Sequence, residues 1–420
     1  MNVIVYPSEL SGELQPPPSK SMMQRACAAA LLHHGETRIT AFGDSEDDQA
    51  ALSLISSLGA QVRMGSETIT IISTGIHPKT DNLNCGESGL SARLFTSLAA
   101  LSDRELTITG RDSLMQRPMH FFTKVLPQLG VSVTDTNGLF PLTLHGPMKA
   151  VTTELDGSLS SQFISGILMA FSYLNPEDVK LRVTNLNSKP YIDMTLSVLK
   201  AFGWNNIENH NYESFYFSRQ TKPIKTTIDY KVETDWSNGA LCLAVAALHS
   251  NCNIQGLDIK SVQGDKAILN VLRSNINLSK EQWTISPHLP EFNFDATHHP
   301  DLFPPLSIMA AVANGISVIK GVHRLINKES NRLISILHVL ETMGVPARFI
   351  GDELIIEGGK SIQGGKISSH HDHRIAMMAA ILATKADSPT EIIHAEAVNK
   401  SFPSFWNLLK QLGAKLEFST

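Results

Sequence analysis

The sequence predicts an α/β fold in which one structural unit is repeated six times along the chain. Five near-copies of one helix ending recur about every seventy residues, each with two apolar residues three positions apart and then a glycine. The closing glycines are Gly59, Gly130, Gly203, Gly344 and Gly413. A degenerate copy, Leu272–Ile276, fills the one gap in this series. Glycine readily adopts the left-handed conformation that ends a helix, so each copy marks a helix end. β-rich stretches such as Glu67–Ser73 usually follow. Each repeat therefore combines helix and strand.

A second set of helices, rich in Ala, Leu and Met, alternates with the glycine-ended helices. They are apolar on most faces, which predicts that they lie inside a helical layer. We expect each to begin at a polar residue whose side chain caps the helix. The predicted ranges are Ser21–Leu32, Ser88–Leu101, Ser160–Leu174, Asp235–His249, Asp301–Ala313 and Asp372–Ala386.

Several of these helix starts also carry cations. Lys20 and Arg25 lie at the first start, Arg93 at the second, and His373 with Arg374 at the last. A helix N-terminus presents unpaired N–H groups and the positive end of the helix dipole, so it attracts anions. If the repeats pack around pseudo-symmetric axes, these starts converge on one cleft for a substrate with several phosphates or carboxylates.

Composition excludes some classes of protein. The net charge of −5 argues against a general nucleic-acid or membrane-surface binder, which would be basic. The four cysteines have neither metal-ligand spacing nor the pattern of a disulfide framework. The N-terminal residues lack the features of a signal peptide, and no apolar run reaches eighteen residues. We therefore expect a reducing, cytoplasmic setting.

Each polar motif also has a purely structural interpretation. Asp156–Gln162 suits hydrogen bonding to a sugar-like ring and suits simple helix capping equally well. Asn327–Arg332 is compatible with a solvated helix start, but its paired acid and bases, with Asp301 upstream, also suit general acid–base chemistry. His370–Arg374 is reminiscent of a metal site, but adjacent histidines point apart and no cysteine lies near, so we expect no metal there.

Eight motifs, in order from about residue 16 to 403, closely resemble those of the 5-enolpyruvylshikimate-3-phosphate (EPSP) synthase family. Each motif alone is weak, whereas the ordered set is highly specific. The motifs are Pro18–Arg25, Arg117–Pro118, Asp156–Gln162, Ser188–Asp193, Gln263–Asp265, Lys328–Arg332, Asp372–Arg374 and Lys400–Pro403.

The resemblance implies a two-domain inside-out α/β barrel of six βαβαββ-type repeats, three per domain. The top domain would comprise residues 19–232 and hold the shikimate 3-phosphate side. The bottom domain would join residues 1–18 to 233–420 and carry the acid–base residues and part of the phosphoenolpyruvate site. Both substrates would lie between the domains, which should close on them.

The resemblance also implies the site residues. Contacts to shikimate 3-phosphate would come from Lys20, Ser21, Arg25, Ser160, Ser161, Gln162, Ser188, Tyr191, Asp301 and Lys328. Contacts to phosphoenolpyruvate would come from Lys20, Gly89, Arg93, Arg117, Gln162, Glu329, Arg332, Arg374 and Lys400. The catalytic residues would be Asp301, Glu329, Lys20 and His373.

The implied reaction transfers the enolpyruvyl group of phosphoenolpyruvate to the 5-hydroxyl of shikimate 3-phosphate and releases phosphate. It would proceed by addition and elimination through a tetrahedral intermediate, with Asp301 accepting the hydroxyl proton and Glu329 transferring protons at the methylene carbon. We expect a monomer that needs no metal or organic cofactor and binds neither nucleic acid nor membrane.

Two other functions are compatible with parts of the sequence. A sister transferase of the same fold uses UDP-N-acetylglucosamine as the acceptor, but it typically has a loop cysteine where this chain has Arg117–Pro118. A catalytically silent module that binds phosphorylated ligands is the second, although such a protein need not keep both Asp301 and Glu329.

The sequence departs from common family patterns at Glu87, Leu90, Leu94 and Asn331.

Overall fold

The computed structural model describes residues 1–221, 224–279, 282–286 and 289–419. Helices and short strands alternate along this part of the chain. The helices are α1 Lys20–Leu32, α2 Glu46–Ser57, α3 Gly89–Ala99, α4 His120–Val125, α5 Ser161–Leu174, α6 Pro190–Ala201, α7 Trp236–Leu248, α8 Leu269–Leu272, α9 Phe303–Val312, α10 Arg332–Thr342, α11 His373–Ala383 and α12 Phe405–Gln411.

The first twelve strands are β1 Asn2–Tyr6, β2 Gly12–Leu14, β3 Gly35–Thr40, β4 Gln61–Met64, β5 Thr68–Ser73, β6 Asn82–Asn84, β7 Glu105–Thr109, β8 Ser132–Thr136, β9 Leu139–His145, β10 Thr153–Asp156, β11 Val179–Thr184 and β12 Ile207–His210. The remaining strands are β13 Ser214–Phe217, β14 Thr227–Lys231, β15 Cys252–Gln255, β16 Ile276–Ser279, β17 Gln282–Ile285, β18 Asn293–Asp295, β19 Ile316–Lys320, β20 Ala347–Ile350, β21 Glu353–Glu357, β22 Lys366–Ser368, β23 Thr390–Ile393 and β24 Lys415–Ser419.

The described residues form six four-stranded sheets with one common strand order. In the sheet β6-β7-β9-β8, for example, β6 pairs parallel to β7, β7 antiparallel to β9, and β9 antiparallel to β8. The connecting helices α3 and α4 complete a βαβαββ repeat. The same pattern occurs in all six sheets, so the predicted α/β fold of six such repeats is confirmed.

Three of the sheets are completed by strands that are distant in sequence. The parallel edge strand of the first repeat is β14, which pairs with β3. The corresponding strand of the fourth repeat is β2, which pairs with β15, and β1 completes the sixth repeat between β23 and β24. These long-range pairings hold the N-terminal strands among the last three repeats.

The chain divides into two compact units. The first unit joins Met1–Pro17 to Thr234–Thr420, and the second unit is Pro18–Glu233. Each contains three repeats and its own hydrophobic core. Every residue of α3 and of α11 is buried, which confirms that the helices with small apolar residues lie inside their units.

Most of the predicted helix caps are confirmed, with two corrections. The first inner helix is capped by Ser19 rather than Ser21, and α3, α5, α7 and α11 are capped by Ser88, Ser160, Asp235 and Asp372. The prediction was wrong for Asp301, which lies in the 3₁₀ turn Pro300–Leu302 ahead of α9 and does not cap it. Its carboxylate is held by cations instead.

The glycine-ended helices stop as predicted. All five closing glycines have positive φ, for example 124° at Gly59 and 103° at Gly413. The degenerate copy differs, because α8 already ends at Leu272, the first residue of that copy, and Arg273, with φ of 30°, makes the turn. Within the described residues, no helix has the length and apolar character needed to cross a bilayer.

Candidate active site

In the second unit, Lys20 is the first residue of α1, and a carboxylate of α2 holds its ammonium group. Its Nζ donates to Asp47 Oδ2 at 2.8 Å, and Asp47 lies in the first turn of α2. The neighbouring Asp48 is buried, and burial raises its pKa to about 7. The ion pair with Asp47 fixes the ammonium of Lys20 beside the start of α2. A helix N-terminus also favours a bound anion.

Arg25 is a buried cation surrounded by neutral groups. Its Nη1 donates to the Ser21 carbonyl at 2.8 Å, its Nε to Thr195 Oγ1 at 2.9 Å and its Nη2 to the Tyr191 carbonyl at 3.2 Å. In the described part of the chain, no carboxylate lies within ion-pair distance of it. Burial lowers its pKa to about 10, so it stays charged at neutral pH. A buried positive charge without a carboxylate partner is suited to bind an anion.

Two guanidinium groups converge on Gly89, the first residue of α3. A Cβ added there would lie 2.6 Å from Arg117 Nη1 and 3.1 Å from Arg93 Nη1. Arg93 Nη1 also donates to Gln162 Oε1 at 2.6 Å. The absence of a side chain at Gly89 thus leaves space for both arginines beside the helix start.

The remaining predicted residues of this unit lie at the starts of α5 and α6. The Ser160 hydroxyl accepts the backbone N–H of Gln162 at 3.2 Å, and Ser161 is buried in the first turn of α5. Ser188 is buried and has φ of 56°, in the turn that precedes α6. Tyr191, in the first turn of α6, presents its carbonyl to Arg25.

In the first unit, Asp301 is surrounded by three cations. Its Oδ1 lies 2.8 Å from Arg332 Nη1 and 3.2 Å from Lys328 Nζ, and its Oδ2 lies 3.6 Å from Arg374 Nη2. Burial alone would raise the pKa of Asp301, but Arg374, Lys328 and Arg332 together hold it well below its usual range. The carboxylate is therefore ionised at neutral pH.

Arg332 connects three carboxylates at the start of α10. Besides Asp301, its Nη2 donates to Glu329 Oε2 at 2.6 Å and its Nε to Asp372 Oδ2 at 2.9 Å. The side chain of Arg332 is only 1% exposed, so these ion pairs replace its hydration. Burial opposes the charge of Arg332, but Asp372, Glu329 and Asp301 together raise its pKa.

Arg374 extends this network through a hydroxyl. Its Nη2 donates to Ser237 Oγ at 2.6 Å, and Ser237 Oγ donates to Asp265 Oδ2 at 2.5 Å. Burial, together with the nearby charge of Asp301, raises the pKa of Asp265 to about 6. His373 is buried in the first turn of α11, and Lys400 is buried at the end of the 3₁₀ turn Ala395–Lys400, which contacts α11.

The structure therefore brings the predicted residues together in groups within each unit. Ion pairs directly join Asp301, Lys328, Glu329, Arg332 and Arg374 in the first unit. In the second unit, contacts join Ser21, Arg25 and Tyr191 in one group and Gly89, Arg93, Arg117 and Gln162 in another.

Two residues that position these groups were not predicted as site residues from the sequence. Asp372 belongs to a recognised motif and was treated as a helix cap; it caps α11 and also binds Arg332. Gln24, buried in α1, accepts the hydroxyls of Ser88 and Ser91 at 2.9 and 2.8 Å and so connects α1 to the start of α3. Its only sequence signal was a polar residue within an apolar helix.

Comparison with known proteins gives one consistent result. The family model described as EPSP synthase (3-phosphoshikimate 1-carboxyvinyltransferase) matches residues 4–409. The 3-phosphoshikimate 1-carboxyvinyltransferase of Clostridium novyi (strain NT) is 35% identical over 430 residues, covering 99% of this chain and 98% of that protein. Its namesake from Clostridium beijerinckii is 34% identical over 426 residues, with 98% and 97% covered.

A solved structure supports the same assignment. The EPSP synthase of Acinetobacter baumannii matches with a TM-score of 0.81 and 26% identity, over 100% of both chains. This chain therefore belongs to the EPSP synthase family of 3-phosphoshikimate 1-carboxyvinyltransferases, which transfer the enolpyruvyl group of phosphoenolpyruvate to shikimate 3-phosphate in the shikimate pathway.

Proposed function

We propose that Asp301 is the general base that takes the proton from the 5-hydroxyl of shikimate 3-phosphate. The observation that carries this assignment is the ring of three cations, Lys328, Arg332 and Arg374, around one ionised carboxylate. Those cations weaken the base in the free enzyme. When Lys328 and Arg374 turn towards the anionic groups of the substrates, the pKa of Asp301 rises and its ability to accept a proton increases.

Glu329 transfers protons at C3 of phosphoenolpyruvate. Protonation of C3 makes C2 electrophilic, and the 5-oxygen adds to C2 to give a tetrahedral intermediate that still carries phosphate. Loss of phosphate and removal of a proton from C3 then restore the double bond. One group facing C3 must therefore give a proton and later take one back. Arg332 holds Glu329 in place for this exchange, with Lys20 and His373 assisting.

The cations bring together two substrates that repel each other. The buried Arg25, with Lys20, recognises the 3-phosphate of shikimate 3-phosphate, because its guanidinium already lacks a carboxylate partner in the described structure. Neutral contacts to this substrate come from Ser21, Ser160, Ser161, Gln162, Ser188 and Tyr191. Phosphoenolpyruvate is held by Lys20, Gly89, Arg93, Arg117, Gln162, Arg332, Arg374 and Lys400.

The same cations stabilise the negative charge that develops as phosphate leaves, a contribution of several kcal/mol. The second unit thus supplies most contacts to shikimate 3-phosphate and part of those to phosphoenolpyruvate, and the first unit supplies the acid–base groups Asp301 and Glu329. This chemistry requires no metal or organic cofactor. We place the enzyme in the cytoplasm as a monomer, and its cysteines, which are free in this structure, are compatible with a reducing compartment.

An assay of phosphate release with competing acceptors tests the proposal. Phosphoenolpyruvate with shikimate 3-phosphate should release phosphate steadily, whereas UDP-N-acetylglucosamine should release none above background. Glu341→Gln, an exposed carboxylate on α10, is a matched control that should retain activity. Asp301→Asn, by contrast, should lose activity. The assigned roles would be contradicted if Glu341→Gln lost as much activity as Asp301→Asn, or if the enzyme preferred the nucleotide sugar.

A further inference from the structure

Two histidines and a glutamate lie together in the first unit, outside the residues assigned to the reaction. His371 is exposed, and His394 and Glu396 are partly buried. The two histidines follow β22 and β23, which are neighbouring parallel strands. Because parallel strands end at the same edge of a sheet, residues that are 23 positions apart in sequence are brought side by side.

A buried serine fixes the two turns that carry the histidines. The Ser369 backbone N–H donates to the Ile393 carbonyl at 3.0 Å, and its Oγ donates to the His394 carbonyl at 2.9 Å. The same Oγ accepts the backbone N–H of His371 at 3.1 Å. Ser369 is completely buried. The spacing of the two imidazoles is thus set by the sheet and by one hydroxyl, rather than by exposed loops alone.

The side chains are close enough to share one ion. The ring centroids of His371 and His394 are 3.9 Å apart, with 32° between the ring planes, and His394 Nδ1 lies 3.9 Å from Glu396 Oε1. One ligand atom from each of the three residues lies within 4.8 Å of the others. Tetrahedral zinc with bonds of about 2.0–2.1 Å separates its ligand atoms by roughly 3.4 Å, so small side-chain rotations suffice.

Glu396 presents one carboxylate oxygen to His394 while its other oxygen is in an ion pair. The Met1 amine pairs with Glu396 Oε2 at 2.9 Å, on the carboxylate oxygen that does not face His394. Adjacent histidines do point apart, as the sequence suggested. His370 lies against His338, with ring centroids 6.3 Å apart, whereas His371 lies against His394. The second histidine, His394, follows the neighbouring strand β23, so the spacing of residues within His370–Arg374 could not reveal it.

We propose that His371, His394 and Glu396 form a binding site for one divalent transition-metal ion, such as Zn²⁺ or Co²⁺. Two imidazole nitrogens and one carboxylate oxygen suit these ions better than Mg²⁺ or Ca²⁺, which prefer oxygen ligands. A water molecule would fill the fourth position. The ion would bind directly before Asp372, and would tie the turn ahead of α11 to the turn after β23.

A cobalt titration of the full-length protein tests this proposal. Protein stripped with EDTA and dialysed is titrated with Co²⁺, whose visible absorption reports coordination, and Zn²⁺ is then added to displace it. We expect saturation at one equivalent and loss of the cobalt absorption when Zn²⁺ is added. Coordination by cysteine thiolate would add an intense near-ultraviolet band, which should not appear.

Asparagine variants separate this site from general histidine binding. His371 and His394 have φ of 56° and 58°, and asparagine tolerates that conformation. His371→Asn and His394→Asn should each weaken binding by at least about tenfold. His370→Asn is a matched control, with φ of 51° in the same turn, and should bind as the wild type does.

Glu396→Gln provides a third variant that leaves both histidines in place, and it should also weaken binding. Circular dichroism shows whether each variant is folded. The proposal is overturned if the wild type shows no saturable binding, or if folded His371→Asn and His394→Asn bind the ion as tightly as the wild type. Equal weakening by His370→Asn would also overturn it, because the ligand set would then be different.

Discussion

Glu329 accepts a hydrogen bond from Arg332, three residues later in the chain, at 2.6 Å. Glutamine in its place keeps the size of the side chain but cannot carry the proton that C3 must gain and lose. We expect Glu329→Gln to lower kcat at least about a hundredfold while the affinity for shikimate 3-phosphate changes little. Phosphate release measures the first quantity and calorimetry the second. Turnover close to that of the wild type would remove Glu329 from the reaction.

Asp301 provides a second prediction for a single residue. Asp301→Asn removes the proposed base and also removes a negative charge from among Lys328, Arg332 and Arg374. We expect kcat to fall by roughly 10²–10⁴. Because the neighbouring cations lose a partner, binding of phosphoenolpyruvate should be retained or strengthened. A variant that loses binding of phosphoenolpyruvate but keeps kcat would show that Asp301 has a binding role instead.

The candidate residues of the site were easier to predict from the sequence than the partners that hold them. The candidates Asp301, Glu329 and Arg332 could be named from motifs, but the pairing of Arg332 with Asp372 spans forty positions and leaves no local signal. Asp301 was assigned a cap because capping is the commonest role of an aspartate before a helix. Instead, cations from other elements surround its carboxylate and hold it in the candidate site.

Among the structural elements, the start of α3 depends on a residue without a side chain. Gly89→Ala would place a methyl group 2.6 Å from Arg117 Nη1 and 3.1 Å from Arg93 Nη1, and the guanidinium groups would have to turn away. We expect KM for phosphoenolpyruvate to rise about tenfold or more, equivalent to ~1.4 kcal/mol. KM for shikimate 3-phosphate is the internal control and should change little. An unchanged KM for phosphoenolpyruvate would contradict the proposed role of this helix start.

The segment between β1 and β2 is held by a neutral histidine at the end of α7. The Leu10 backbone N–H donates to His249 Nδ1 at 3.1 Å, so Nδ1 carries no proton and Nε2 donates to Thr384 Oγ1 at 2.9 Å. Burial, helped by the charge of Lys385 and opposed by the nearby carboxylate of Glu9, lowers the pKa of His249 to about 4. Between its unfolded value of about 6.5 and this value, only the unfolded chain binds the extra proton.

The free energy of unfolding should therefore fall as pH decreases from about 6.5 to 4. The part due to His249 is at most about 3 kcal/mol. His249→Gln should lack this part of the pH dependence, because glutamine does not titrate. Urea unfolding at several pH values measures the effect, with the exposed His120→Gln as control. If His249→Gln shows the same slope as the wild type in this range, His249 is not the titrating group.

On the scale of the whole molecule, the repeat was predictable because its signal is local. Apolar periodicity and closing glycines are read within one helix, and they predicted both the number of repeats and the buried helices. The degenerate copy was placed less well, because α8 has only four residues and its turn falls on Arg273.

The long-range strand pairings had no such local signal. β2 has three residues and lies far in sequence from its partner β15, and β14 pairs with β3 across most of the second unit. Sequence patterns that extend over a few residues cannot specify these partners. The family resemblance, rather than periodicity, was the source of the expected crossings of the chain between domains.

We propose that residues of this chain protonate C3 of phosphoenolpyruvate reversibly during transfer. The most direct measurement is the reaction in D₂O with shikimate 3-phosphate, stopped before completion and followed by mass spectrometry and NMR. C3 becomes a methyl group in the intermediate, so we predict deuterium at C3 of both the product and the recovered phosphoenolpyruvate. Phosphoenolpyruvate incubated without the acceptor should remain unlabelled. Complete transfer with no deuterium at C3 of the product would show that C3 is not protonated during transfer.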